Sequence, residues 1–245
     1  EKITFFKQDK LPLVDLNGKL ILQEPYIIKE ASNGNGNVFN SMKKNNIIDI
    51  LNSENIKWVS FGGIDNVLLK NCDPIFLGLI INNRLQVGSK SIFKKDPLEK
   101  TAVYCKKNGK PSILDYNDIT LDLSESKIEN TNTYLYREAN ILSHIMSIEA
   151  IEKMSTINLK YHRAFKKNAF VNFEGVKQVP EKPNTFKFEN FIFDAFSYFD
   201  DMLLLRVDEN EEFAPIKDFT GIYNPDTAIE KYENYFKKHH NTDII

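Results

Sequence analysis

Lys57-Trp58-Val59-Ser60-Phe61-Gly62-Gly63-Ile64-Asp65-Asn66 is the stretch on which the fold turns. Lys57–Phe61 is rich in aromatic and β-branched residues, the composition of a buried strand. It stops at two glycines and hands over to an acidic residue. In open α/β sheets, ligands bind in the crevice outside such carboxyl ends of strands. About 30 residues upstream, Ser32-Asn33-Gly34-Asn35-Gly36-Asn37 precedes a helical pattern over Val38–Leu51. Glycine lacks the Cβ that holds a ligand away, so Gly34 and Gly36 would let backbone and the short Asn35 amide approach a flat ligand. The ordinary reading of such an Asn/Gly cluster is a plain turn. An acidic residue at the end of an apolar run, here Asp65, suits a metal or a ribose.

Apolar runs continue to alternate with helical patterns, which predicts an α/β layout. Ile3–Phe6 reads as a strand, and Leu13–Leu22 holds a turn at Asn17-Gly18. Asp73-Pro74 opens a helix over Ile75–Ile81, with proline at its tolerated first position. Gln86–Lys94, Ala102–Lys106 and Ser112–Tyr116 read as strands, the last two joined by a hairpin at Asn108-Gly109. Leu135–Ile141 is extended and feeds a helix at Ser147–Met154. Phe191–Phe199 has helical spacing, and Met202–Val207 reads as a strand. In the last element, Thr227–His240, Thr227 and Glu230 fit a capping box, and Ala228, Tyr232, Tyr235 and Phe236 share a face. The simplest organisation is one domain over 1–245. Residues 1–180 would carry the central sheet and the binding site, and 181–245 a carboxyl-terminal lobe.

Composition narrows the class. Of 245 residues, 42% are hydrophobic and 27% charged, ordinary for a globular chain that can bury a sizeable core. The net charge of −2 carries no basic nucleic-acid footprint. No apolar run approaches a membrane span, and no signal peptide is visible. Cys72 and Cys105, both flanked by apolar segments, read as buried thiols of a reducing, cytoplasmic protein. His144, His162, His239 and His240 show neither metal spacing nor a partnered nucleophile. The chain begins at Glu1 with a strand pattern already under way, as a piece of a longer protein would.

Several polar residues interrupt or follow apolar strands. Asp115 follows Ser112-Ile113-Leu114, and Asn140 sits in Arg137-Glu138-Ala139-Asn140-Ile141. A carboxylate only accepts while an amide donates and accepts, a pair suited to sugar hydroxyls. The alternative for each is a strand-end residue bonded to local backbone. Phe191 and Phe193, two residues apart, suit the apolar wall of a pocket or plain core packing. Lys217 follows Phe213-Ala214-Pro215-Ile216, a turn that would aim its ammonium at a phosphate; the alternative is one more solvated lysine among the 32 basic residues.

Taken in order, these segments resemble the eukaryotic-type UDP-sugar pyrophosphorylases over nearly the whole chain. Phe5-Phe6-Lys7-Gln8 with Leu11-Pro12, Asn33-Gly34-Asn35-Gly36, Asp65-Asn66 and Asp73-Pro74-Ile75-Phe76-Leu77-Gly78 carry the first part of the resemblance. Leu114-Asp115-Tyr116, Ala139-Asn140-Ile141 with His144, Lys187-Phe188-Glu189-Asn190-Phe191-Ile192-Phe193-Asp194 and Phe213-Ala214-Pro215-Ile216-Lys217 complete it. The resemblance implies a Rossmann-like, GT-A-like nucleotidyltransferase fold, a mixed sheet flanked by helices and truncated at its amino-terminal side. It implies that Gly34 contacts uracil and that Asn35 reaches toward the nucleotide-sugar. Asp65 would lie near ribose, phosphates and Mg²⁺, as a metal ligand. Asp115 and Asn140 would bind sugar hydroxyls and the acetamido group, Phe191 and Phe193 would wall the acetyl, and Lys217 would be catalytic. The implied substrates are UTP and an N-acetylhexosamine-1-phosphate, giving UDP-GlcNAc or a close analogue.

The Gly-Asn-Gly loop favours the N-acetylhexosamine branch over the glucose branch, whose loop reads Gly-His-Gly. Asn37 replaces a third glycine, Asp115 a glutamate and Ala102 a glycine of the family pattern, and each substitution bears on sugar preference. The family's Gly-rich triphosphate loop and its nearby lysine have no counterpart in these 245 residues. Two other readings stay open. One is a UDP-sugar-binding module without turnover. The other is a metal-dependent glycosyltransferase, which would need an Asp-x-Asp turn where this chain has Asp65-Asn66-Val67.

Overall fold

The computed structural model describes residues 3–99, 101–116 and 118–240. Glu1 lies outside them. Chain contacts divide the protein into two discontinuous units, residues 1–55 with 151–195, and residues 56–150 with 196–245. The expected boundary near Pro180 falls inside the first unit.

The second unit is built on a six-stranded mixed sheet. Its axis is Glu138–Ser147, antiparallel to Val87–Phe93 on one side. On the other side lie two strands in tandem, Trp58–Gly62 against Ser143–Ser147 and Val103–Lys107 at Ala139. Lys110–Leu114 continues from Val103–Lys107, and Leu203–Arg206 adds in parallel beyond Val87–Phe93. The expected hairpin forms: Asn108 and Gly109 both take positive φ, 53° and 79°, the twist that a two-residue connection requires.

Pro74–Asn82 begins as expected. Asp73 caps it by accepting from the Ile75 and Phe76 N–H groups, and proline occupies the first turn. Phe76 and Ile80 on its inner face pack with Ile145 of the sheet, flanked by Trp58, Leu77, Leu85, Leu203 and Leu205. The last helix starts earlier than the Thr227/Glu230 pattern suggests, at Pro225. Asn224 is its cap: its Oδ1 accepts from Thr227 N–H, and Thr227 Oγ1 accepts from Asn224 N–H. Proline fits one position after a cap, which draws the start two residues upstream.

The first unit carries three smaller antiparallel sheets. Lys10–Pro12 pairs with Glu30–Ser32; His162–Lys166, Thr185–Glu189 and Val14–Asp15 form a second sheet. Lys177–Gln178, Phe170–Val171, Leu22–Glu24 and Ile27–Ile28 form the third. Ile3–Phe6 is not a strand: regular pairing begins at Lys10, and Phe5 is exposed. The single helix expected over Val38–Leu51 is two, Val38–Lys44 and Ile47–Ser53. The polar run Lys43-Lys44-Asn45-Asn46 breaks it, with Asn46 left-handed at φ 56°, a conformation asparagine tolerates better than most residues.

Leu135–Arg137 precede the strand rather than opening it, and the strand runs on to Ser147. Ser147 Oγ then accepts from Ala150 N–H at the start of the Ile148–Met154 helix. Phe191–Phe199 forms a 3-10 helix, Ile192–Tyr198. Cys72 is exposed and left-handed (φ 52°), against the expectation of a buried thiol; Cys105 is half-buried. Both cysteines are free. Among the described residues no helix is long and apolar enough to cross a membrane.

Candidate functional site

In the second unit, two loops more than 140 residues apart in sequence run side by side. Asp65 O accepts from Ile216 N–H, Val67 N–H donates to Ala214 O, and Asn66 bridges to Pro215. Asn66 is buried and joins both loops: its Oδ1 accepts from Ala214 and Leu68 N–H, and its Nδ2 donates to Glu212 O. Lys231 of the last helix steadies the second loop, donating to Phe213 O and to Glu209. The result places Lys217 Nζ 3.6 Å from Asp65 Oδ2, with both side chains partly exposed.

These loops edge a cavity of about 390 Å³. Asp65, Asn140, Glu99, Lys217, Phe213 and Tyr223 line it, with Ile92, Ala139 and Ile141 among its apolar wall. It lies at the carboxyl end of Trp58–Gly62, where the sequence placed a ligand crevice. Phe213 packs with Ile92, Ala139 and Ile141, and Tyr223 stands edge-on to Phe213 with ring centroids 5.7 Å apart. The Tyr223 hydroxyl donates to Glu99, 3.3 Å away. Burial and the Glu99 and Glu209 carboxylates push its acidity down, so it stays a neutral phenol.

Asn140 reaches the cavity because the sheet is irregular beside it. Register with Val87–Phe93 shifts between Asn140 and His144, and Leu142 takes φ 52°. Asn140 Oδ1 accepts from Tyr104 O–H (2.9 Å) and Leu142 N–H (3.0 Å), while its own N–H donates to Ala102 O. Three of the expected residues, Asp65, Asn140 and Lys217, therefore share one cavity. Asp115 is not among its lining residues; it is half-buried, and its carbonyl accepts from Asp118 and Ile119 N–H.

Beneath the Asn66 clamp sits a buried charge cluster with no trace in the sequence pattern. Lys90 is wholly buried in the Val87–Phe93 strand. Its Nζ lies 2.6 Å from Asp73 Oδ2 and also bonds Glu212. It ties the cap of the Pro74–Asn82 helix to the residue whose carbonyl holds Asn66.

In the first unit the glycine loop meets its own chain. A Cβ on Gly34 would lie 2.2 Å from Asn190 O, and one on Gly36 would lie 2.7 Å from the Phe191 carbonyl. Gly34 has φ 91° and ψ 156°, a region effectively reserved for glycine. Gly36 N–H donates to Asn190 O, and Asn190 N–H to Asn33 O. Asn35 Oδ1 accepts from Ile192 N–H at 3.0 Å, so its amide fixes the start of the segment carrying both phenylalanines. Phe191 and Phe193 stack 4.9 Å apart and tilted by 20°. His162 packs 4.8 Å from Phe191 and bonds Asp194 Oδ2 at 2.7 Å. Gly34→Ala is expected to destabilise the protein by about 1–3 kcal/mol from backbone strain alone, with the clash adding to that. Thermal unfolding of the variant checks it, and an unchanged melting temperature would show that the loop is not held this way.

Sequence reasoning singled out the Asp65 and Phe213–Lys217 motifs but missed Asn66, Lys90 and Glu212, which hold those loops, and Tyr104, which bonds Asn140. Asn66 alone left a sign, standing beside Asp65 in the motif. Among the described residues no three His, Cys, Asp or Glu side chains gather as a metal cluster.

The chain has counterparts among known proteins. It is 32% identical over 241 residues to the UDP-N-acetylglucosamine pyrophosphorylase of Saccharomyces cerevisiae, covering 95% of this chain and 50% of that protein. The crystal structure of a candidate UDP-N-acetylglucosamine pyrophosphorylase from Entamoeba histolytica superposes with a TM-score of 0.86 at 28% identity, covering 95% of this chain and 59% of that one. The Trypanosoma brucei UDP-N-acetylglucosamine pyrophosphorylase, solved with an inhibitor, gives 0.81 at 27% identity, over 96% of this chain and 48% of that one. The chain thus spans about half the length of the curated relatives it matches. Residues 1–238 match the family described as UTP–glucose-1-phosphate uridylyltransferase, and the chain belongs to that family.

Proposed function

We propose that this chain carries the sugar site and part of the uridine site of an enzyme that makes UDP-N-acetylhexosamine and pyrophosphate from UTP and an N-acetylhexosamine-1-phosphate. The observation that carries the reading is the convergence of Asp65, Asn140 and Lys217 on one cavity from three separate segments. The yeast and trypanosomal relatives, both named for N-acetylglucosamine, support the branch.

The chemistry needs no protein nucleophile. A phosphate oxygen of the sugar-1-phosphate attacks the α-phosphorus of UTP in line, and pyrophosphate leaves. Catalysis is then positioning and charge stabilisation. Lys217, paired only loosely with Asp65, is free to swing its ammonium onto a phosphate oxygen and neutralise charge there. Asn140 presents its amide to the sugar. Among the described residues, the cavity's charged lining is Asp65, Glu99 and Lys217. Mg²⁺ typically takes one or two protein carboxylates and completes its shell with phosphate oxygens and water. Asp65 fits that donor set, and Mg²⁺ bound there would offset phosphate charge.

In the first unit, Gly34 and Asn35 are assigned to the uracil and nucleotide-sugar, and Phe191 and Phe193 to the acetyl group. Asp115 is assigned to the sugar from its place in the family pattern. A cytoplasmic setting is assigned, in keeping with the two free cysteines, Cys72 and Cys105.

The test is an assay of the intact protein with UTP against N-acetylglucosamine-1-phosphate and glucose-1-phosphate, with and without Mg²⁺. The expected result is metal-dependent turnover with a clear preference for the amino sugar. A preference for glucose would move the protein to the other branch. Binding of UDP-N-acetylglucosamine without turnover would make it a binding module.

A further inference from the structure

A buried chain of polar groups runs behind Asn140. Asn140 Oδ1 is identified as the oxygen by the Leu142 N–H that donates to it, since an amide NH₂ could not accept there. The Tyr104 hydroxyl must then donate its proton to the same oxygen. Tyr104 is 7% exposed, and its own oxygen interacts with the Ser89 hydroxyl. Ser89 in turn lies 2.5 Å from His144 Nδ1. Ser89 and His144 are both fully buried. Geometry fixes the direction of the last link, Tyr104 O–H to Asn140; that between Ser89 and His144 Nδ1 follows the histidine tautomer. Among the described residues His144 Nε2 has no hydrogen-bond partner, and its ring stands edge-on to Phe196, 5.2 Å away. Burial keeps this imidazole neutral, its pKa pushed down to about 3.

We propose that Tyr104, backed by Ser89 and His144, is a positioning residue that saturates the Asn140 carbonyl and leaves Asn140 able only to donate to the sugar. The proposal rests on the uridylyltransferase reading above. An Asn140 limited to donation suits an acetamido carbonyl, which only accepts at its oxygen. A hydroxyl in the same place can still accept from it but finds no acceptor there for its own proton. The device therefore favours the N-acetyl sugar through hydrogen-bond polarity rather than through size.

The test is Tyr104→Phe in the intact protein, measured with both sugar phosphates and with UTP. Loss of one such bond corresponds to roughly a 3- to 10-fold effect. The KM for N-acetylglucosamine-1-phosphate should rise by about that factor. The KM for UTP, the KM for glucose-1-phosphate and kcat should stay within about twofold, so that the preference between sugars narrows. An unchanged preference would overturn the proposal. So would equal rises for UTP and sugar phosphate together with a lower melting temperature, which would mark Tyr104 as structural. A second readout needs no turnover: the affinity of the intact protein for UDP-N-acetylglucosamine should fall by the same factor in Tyr104→Phe, while that for UDP-glucose should stay unchanged. Equal losses for the two ligands, or none, would sink the proposal. Wild-type protein inactive on both sugar phosphates would sink the proposed function instead, and the binding comparison would still decide this one.

Discussion

Lys217→Ala in the intact protein is expected to lower turnover by about a hundred- to a thousandfold while the fold survives. A donor aimed at charge that develops in the transition state typically contributes about 2.7–4 kcal/mol. Lys217 fits that description because its ammonium is only loosely held: among the described residues its ionic partner is Asp65, 3.6 Å away, and more than half of its side chain is exposed. An exposed pair of this kind contributes roughly 0–1 kcal/mol to stability, so the melting temperature should move little. The backbone beside it does the structural work, with Lys217 N–H donating to Tyr223 O, and alanine keeps that bond. Wild-type turnover in the variant would remove Lys217 from the mechanism. A large fall in melting temperature would make the lost activity uninformative, and Lys217→Arg would then be the measurement to compare.

Lys90→Met should do the opposite, acting first on stability. Removing one member of a buried ion cluster costs about 3–5 kcal/mol, because the charges left behind are buried without a partner. At about 2–4 °C per kcal/mol for a chain of this size, the melting temperature should fall by roughly 6–20 °C. The loss should shrink in acid. In the wild type, burial pushes the Asp73 carboxyl up. The Lys90 hydrogen bond, the Phe76 and Ile75 N–H groups and the Lys90 charge outweigh burial and hold it below its ordinary value. A carboxyl depressed in the folded state contributes stability above its unfolded pKa and loses it as pH falls through the folded pKa. Without Lys90, only the Phe76 and Ile75 N–H groups are left to oppose burial, so Asp73 is held down less. The variant then loses less stability than the wild type as pH falls through the Asp73 range, below its ordinary value. Denaturant unfolding of both proteins between pH 7 and about pH 3 checks this. A gap that stays constant with pH, or one below about 1 kcal/mol, would show that Lys90 is not the centre of the cluster.

The parts of this protein legible from its residues are those decided within a few positions. Asp73-Pro74 starts a helix because a carboxylate and a proline answer its first N–H groups locally. Asn108-Gly109 makes a hairpin because both residues accept positive φ. Trp58–Gly62 ends where a strand should, and Asp65 follows it into the cavity. Where local pattern misled, a longer-range partner was missing or a neighbour competed. Ile3–Phe6 is apolar enough for a strand and pairs with nothing as one. Thr227 has the chemistry of a cap, yet Asn224 with Pro225 takes that place.

The glycine loop shows the same limit. Its composition announced close approach, and the chain it approaches within its own unit is Asn190-Phe191. Residue types alone therefore established the class of fold, the element starts and the presence of polar groups at strand ends, because hydrogen bonds and φ preferences act over one turn of chain. Asn66 reaching Glu212, Lys90 buried between Asp73 and Glu212, and Tyr104 saturating Asn140 depend on pairs 17 to 146 positions apart. Such pairs leave no periodicity to read. The folded backbone alone brings them within bonding distance, where burial makes each unmatched charge or donor costly.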